Sequence, residues 1–117
     1  MTVIGHDPVI MLEAPIPATQ RALERAGMKI GDIDLYEVNE AFASVPTAWM
    51  QVPGADPDKL NVNGGAIALG HPLAATGVRL TVTLARELRR RGLRYGISSA
   101  CVGGGQGIAL LIENTDA

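Results

Sequence analysis

The chain has 117 residues, a formal net charge of -2 at pH 7 and one cysteine. That length makes one domain with a real core, and the single Cys101 excludes an internal disulfide framework. The charge leaves no electrostatic basis for a nucleic-acid partner, and no run of about eighteen apolar residues is present to cross a membrane. Aromatics are only 3% of a chain that is 47% hydrophobic, so the core must be built from Ala, Val, Ile and Leu, as when helices pack closely on a sheet. The N-terminus lacks the charged and apolar regions of a signal peptide, and with one cysteine the expected location is cytoplasmic.

In chain order, residues 1–10 have no complete strand pattern and are interrupted by Gly5 and Pro8, which reads as a loop entry. Pro15 and Pro17 set an extended approach to a helix over residues 18–26, whose Ala18, Ala22, Leu23 and Ala26 share one side and which Gly27 ends. Residues 35–38 form a short buried-strand candidate. Asn39-Glu40-Ala41-Phe42 follows where strand gives way to helix, the place where open α/β sheets put ligand-binding groups. Pro46 would cost about 3 kcal/mol inside a helix, so the next helix should start near it or kink there. The longest helix is expected over residues 72–91, with Arg86, Arg89, Arg90 and Arg91 favourably placed in its last turns and Gly92 as its stop. Strands at 94–100 and 107–113 flank the turn Cys101-Val102-Gly103-Gly104-Gly105, and so short a turn implies an antiparallel pair. The alternation predicts a layered α/β domain with a mixed sheet, parallel strands and a C-terminal antiparallel strand.

Residues 61–77 carry the clearest chemical signal. Glycine and alanine build a loop that ends in His71, followed by Pro72, which suits a first helical position. A histidine at the positive end of a helix dipole is held neutral, free to act as a base or to donate one N–H to an oxyanion. The alternative is a histidine that only caps or lines a loop. The spacing from Gly65 to Gly70 approaches a phosphate loop, but His71 stands where that motif needs Lys-Ser/Thr, which excludes it. Asn39 either caps a helix or belongs to a site, and Cys101 is either a small buried hydrophobe or a reactive thiol. If their strands are parallel neighbours, Asn39, His71 and Cys101 converge at one edge of the sheet. Gly103, Gly104 and Gly105 serve the turn or free backbone N–H groups for an oxyanion.

Asn39-Glu40-Ala41-Phe42-Ala43, the segment ending Gly70-His71-Pro72, and Cys101-Val102-Gly103-Gly104-Gly105 occur in the order and rough spacing of the C-terminal half of thiolases. The resemblance spans nearly the whole chain, so residues 1–117 are identified as a thiolase C-terminal domain. It implies acyltransfer on acyl-CoA thioesters, the chemistry of lipid metabolism, with no bound cofactor and a coenzyme A thioester as substrate. His71 would activate the nucleophilic cysteine and donate to the thioester oxygen. Asn39 would hold a water completing that oxyanion hole, Cys101 would be the acid/base, and the Gly103 N–H would help hold the acyl-enzyme oxyanion. A thiol fits the base role when its surroundings lower its pKa.

Two departures shape the expectation. The family's nucleophilic cysteine and most of its CoA surface lie in the N-terminal half, which these residues do not include. The strand that opens the family's half-domain is represented only by residues 1–5, which would leave an open central slot in the sheet. Ala74, where the family commonly has Gly, and Pro46 are smaller differences. Three readings stay open: one chain of a split thiolase completed by an N-terminal partner chain, a catalytically silent binding module of the same fold, or a fragment of a full enzyme. The chain is expected to be inactive alone and, by analogy, to self-associate into at least a dimer.

Overall fold

The computed structural model describes residues 1–117. It has four strands, β1 (Thr2–Gly5), β2 (Leu35–Val38), β3 (Tyr95–Val102) and β4 (Gln106–Glu113). Its helices are α1 (Pro15–Ala26), α2 (Ser44–Gln51), α3 (Ala66–Leu69) and α4 (Thr76–Arg91). One sheet runs in the order β1-β4-β3-β2. β2 and β3 are parallel, whereas β3 with β4 and β4 with β1 are antiparallel. The layered α/β fold with a mixed sheet is therefore as expected, including the antiparallel C-terminal pair.

Several local expectations are corrected. Residues 2–5 are a strand, paired with β4 from Thr2 opposite Ala109 to Gly5 opposite Gln106. It lies at a sheet edge, so the predicted central slot is not there. Pro15 and Pro17 belong to α1 itself, because the first turn of a helix needs no proline N–H. The same reason places Pro46 in the first turn of α2, which starts near it as expected. Before His71 lies the short α3, and the long helix begins at Thr76 rather than Pro72. His71 is thus separated from α4 by a turn in which Ala75 and Thr76 both donate to the Pro72 carbonyl. Just before the loop to His71, Leu60 makes one parallel bridge to Tyr36. Cys101 and Val102 extend β3, leaving only residues 103–105 for the turn.

The two faces of the sheet are covered unequally. α1 and α2 pack over one face around a core of Trp49, Tyr36, Ile33, Val38 and Ile97, where Trp49 donates to Thr19 Oγ1 at 2.8 Å. α4 covers only the β2–β3 side of the other face, through Leu84 and Leu88 against Leu35. Its approach is close: a Cβ on Gly96 of β3 would stand 2.8 Å from Leu84 Cδ1, so glycine there lets α4 settle on the sheet.

Candidate active site

β2 and β3 both end at the edge of the sheet that carries the sequence motifs. Asn39 continues the β2 ladder by one bond, its N–H donating to the Ser99 carbonyl at 2.9 Å. Its side chain is fully buried, with Nδ2 3.4 Å from Nε2 of His71. The other ring nitrogen, Nδ1, is 2.6 Å from Thr76 Oγ1, which itself lies 3.1 Å from the Pro72 carbonyl. One hydroxyl proton cannot serve both acceptors. When Thr76 donates to Pro72, Nδ1 carries the ring proton and Nε2 accepts from the Asn39 amide. When Thr76 donates to Nδ1, Nε2 carries the proton and becomes a donor. Only in the first arrangement is the exposed imidazole held through both nitrogens; in the second, Nε2–H and the Asn39 amide N–H are both donors and only Nδ1 is held.

Cys101 stands near the end of β3, opposite Gly107 of β4. It is half-buried, and that burial raises the thiol pKa above its ordinary value. The lowering that a resting thiolate needs is not found in these residues. Cys101, His71 and Gly103 share the wall of a cavity of about 210 Å³. The rest of that wall is apolar, supplied by Met11, Leu12, Phe42, Leu73 and Val102. Asn39 is not part of the wall; it stands behind His71. The convergence predicted from the strand ends therefore occurs, with three residues on the cavity and the fourth touching the imidazole.

Binding sites for organic ligands usually enclose about 300–1,000 Å³, so this cavity suits the reacting end of a ligand and not a whole coenzyme A. Met11 and Leu12 were not legible as site residues. They reach the cavity because the loop after β1 folds back over the hairpin turn, with the His6 N–H donating to the Gly105 carbonyl at 2.8 Å. Thr76 carries a weak signal, a hydroxyl five residues after a histidine with an intervening proline. Leu73 carries none beyond adjacency. The residues contain no His, Cys, Asp or Glu cluster suited to a metal ion, and no helix is long and apolar enough to cross a membrane.

The comparisons with known proteins identify the family. A family model described as "Thiolase, C-terminal domain" matches residues 1–114, and the chain belongs to that family. It is 58% identical over 97% of its length to the bovine mitochondrial 3-ketoacyl-CoA thiolase and covers 28% of that protein. To an acetyl-CoA acetyltransferase of Shinella zoogloeoides it is 54% identical over 95% of its length, again covering 28% of the relative. Among solved structures, human mitochondrial 3-ketoacyl-CoA thiolase in complex with CoA superposes with a TM-score of 0.94 at 54% identity, covering 97% of this chain and 29% of that one. The chain therefore spans less than a third of the length of these relatives. The cytoplasmic expectation is overturned, since the bovine, mouse and human relatives are all named as mitochondrial. Its physical weakness was that one cysteine excludes an intrachain disulfide in any compartment and selects none.

Proposed function

We propose that this chain supplies the oxyanion-stabilising and acid/base half of a thiolase active site acting on acyl-CoA thioesters. The observation that carries the reading is the placement of Cys101, His71 and Gly103 on one cavity, with Asn39 against the imidazole. Cys101 is the only cysteine, so the nucleophile comes from polypeptide outside these residues. In the cleavage direction that cysteine gives its thiol proton to Nε2 of His71 and attacks the 3-keto carbon, and the bond between C2 and C3 breaks. The electron pair passes to C2 and onto the thioester oxygen. There it meets Nε2–H of His71 and a water held by Asn39. A thiol raised by burial rests as S–H, so Cys101 is set to give its proton to C2 and release acetyl-CoA. The Gly103 N–H then serves the oxyanion formed when a CoA thiol attacks the acyl-enzyme. Condensation is the same sequence reversed.

Taking the nucleophile's thiol proton needs Nε2 free as a base, which selects the arrangement in which the Thr76 hydroxyl donates to the Pro72 carbonyl and Nδ1 carries the ring proton; the proton received then makes Nε2 the donor to the thioester oxygen. The partners implied are the acyl-CoA substrate and the remaining thiolase polypeptide, for which the exposed Val78 and Val82 of α4 offer apolar contact. The outer edge of β1 offers unpaired backbone groups for association between subunits.

The test is a chimaera in which this chain replaces the matching segment of human mitochondrial 3-ketoacyl-CoA thiolase. We expect it to cleave a 3-ketoacyl-CoA, whereas the isolated chain does not. In the chimaera His71→Ala and Cys101→Ala should each lower kcat by roughly 10²–10⁴-fold, the usual reach of a positioned acid or base. Turnover by the isolated chain at ordinary enzyme rates, or full activity in either variant, would sink the assignment.

A further inference from the structure

We propose that Glu40 is a positioning residue: its carboxylate ties the segment that carries His71 to the end of the strand that carries Asn39. The proposal deepens the function proposed above, because it concerns what holds that oxyanion pair together.

β2 is an edge strand, bonded to β3 on one side only. On the open side Asn61 takes the place of a neighbouring strand. Its backbone N–H donates to the Tyr36 carbonyl at 2.9 Å. Its side-chain Oδ1 accepts from the Val38 N–H at 2.8 Å, and Nδ2 donates to the Val38 carbonyl at 2.9 Å. A backbone N–H can only donate, so the orientation of the Asn61 amide is settled. Its second Nδ2 proton points to Glu40 Oε1, 3.3 Å away. The other carboxylate oxygen of Glu40 accepts from the Ile67 N–H at 3.0 Å.

One acceptor-only group thus bridges two donors, one on each side of the Gly64-Gly65 bend. The space beneath it is occupied by Gly65 backbone. A Cβ there would lie 2.2 Å from Glu40 Cδ and within 2.5 Å of both oxygens. From Ile67 the chain runs through α3 to His71, whose Nε2 returns to Asn39, the residue next to Glu40. Two adjacent residues at the end of β2 therefore grip the two ends of residues 67–71. Releasing one grip leaves the imidazole held at that end by Asn39 alone, across a long 3.4 Å contact that is too weak to fix a loop. Glutamine is not equivalent, since one amide has a single acceptor oxygen for two donors.

The first test needs no turnover. In the isotopically labelled chain, the nuclear Overhauser effect between the Asn39 side-chain amide and the His71 ring reports their contact, and the Trp49 indole N–H reports the core on the opposite face. Glu40→Ala should abolish the first signal and leave the second in place, with Glu40→Gln intermediate. Gly65→Ala should also abolish it by displacing the carboxylate, and should have no further effect in the Glu40→Ala background, where nothing remains to clash. In the chimaera, Glu40→Ala should lower kcat roughly 100-fold with KM within about threefold, the cost of a misplacement near 1 Å. If Glu40→Ala fails to fold, Glu40→Gln decides, through a weakened contact signal beside an unchanged indole signal. An Asn39–His71 contact that persists unchanged in a folded Glu40 variant, or additive effects of the two substitutions, overturns the proposal. The expected contact losses together with full activity in His71→Ala would instead remove the catalytic reading and leave the positioning claim standing.

Discussion

The two sides of β2 show how one short strand serves stability and chemistry together. Tyr36 and Val38 point to the α1/α2 face and join the apolar core, where the Tyr36 and Trp49 rings lie 5.3 Å apart. Leu35, Glu37 and Asn39 point the other way, because successive side chains in a strand alternate. On that face the row changes character along its length. Leu35 packs on Leu84 and Leu88, Glu37 lies 3.7 Å from Arg79 of α4, and Asn39 meets His71. The first face is satisfied by burial, with its polar ring atoms bonded: Trp49 N–H to Thr19 and Tyr36 O–H to the Ile30 carbonyl. The second keeps polar atoms out of water without full partnership: Glu37 Oε2, Asn39 Oδ1 and the three guanidinium nitrogens of Arg79 are buried and make no hydrogen bond. Orphaned groups are costly, and here they line up directly behind the candidate site.

The largest effect should come from breaking the apolar side. Trp49→Ala removes a fully buried ring and its bond to Thr19, which should lower unfolding free energy by about 3–5 kcal/mol in denaturant titration. A loss under about 1 kcal/mol would mean that this core is not the stabilising face.

The polar side should show itself through pH. Burial pushes the Glu37 carboxyl up to about 7, against the pull of Arg79 and with added repulsion from Glu40 and Glu87. A group whose pKa is raised on folding binds its proton more readily in the folded state. Its contribution is therefore complete below about 4.5, the unfolded value, and is lost as pH rises through about 7. Stability should fall across that window by on the order of 3 kcal/mol from this group, and Glu37→Gln should flatten the slope. An unchanged slope in Glu37→Gln would assign the titration elsewhere. Glu87 acts with the opposite sign and in a lower window. Hydrogen bonds from Arg90, and then Arg91, outweigh its burial and hold it down at about 2. Its contribution is present above 4.5 and is lost as pH falls toward 2, so Glu87→Gln should blunt acid unfolding alone.

The smallest effect belongs to the surface. Arg89 reaches Asp116 at 2.8 Å with both side chains largely exposed, and Arg89→Ala should change stability by less than about 1 kcal/mol in the same titration. A larger loss would put real weight on the C-terminal tail and blur the contrast between the two faces.

Much of this was legible in the residues. The β2 boundaries, the caps at Gly27 and Gly92, the antiparallel hairpin and the motif residues Asn39, His71, Cys101 and Gly103 all follow from local rules of period, turn chemistry and spacing. The errors share a cause. Residues 1–5 look like a loop because four residues carry too little pattern, and only β4 makes them a strand. α3 is one turn long and rests on Glu40, a side chain far away in sequence. The start of α4 was misplaced because Pro72 is equally at home in the turn that precedes a helix.

The sequence by itself determined the family, the order of most elements and the identity of the polar groups at the strand ends, since these depend on residue type and spacing along the chain. The tertiary structure decided which nitrogen of His71 meets Asn39, which way the Cys101 thiol shifts, and that Asn61 and Glu40 brace the site. Those depend on distances and burial between segments that only packing brings together.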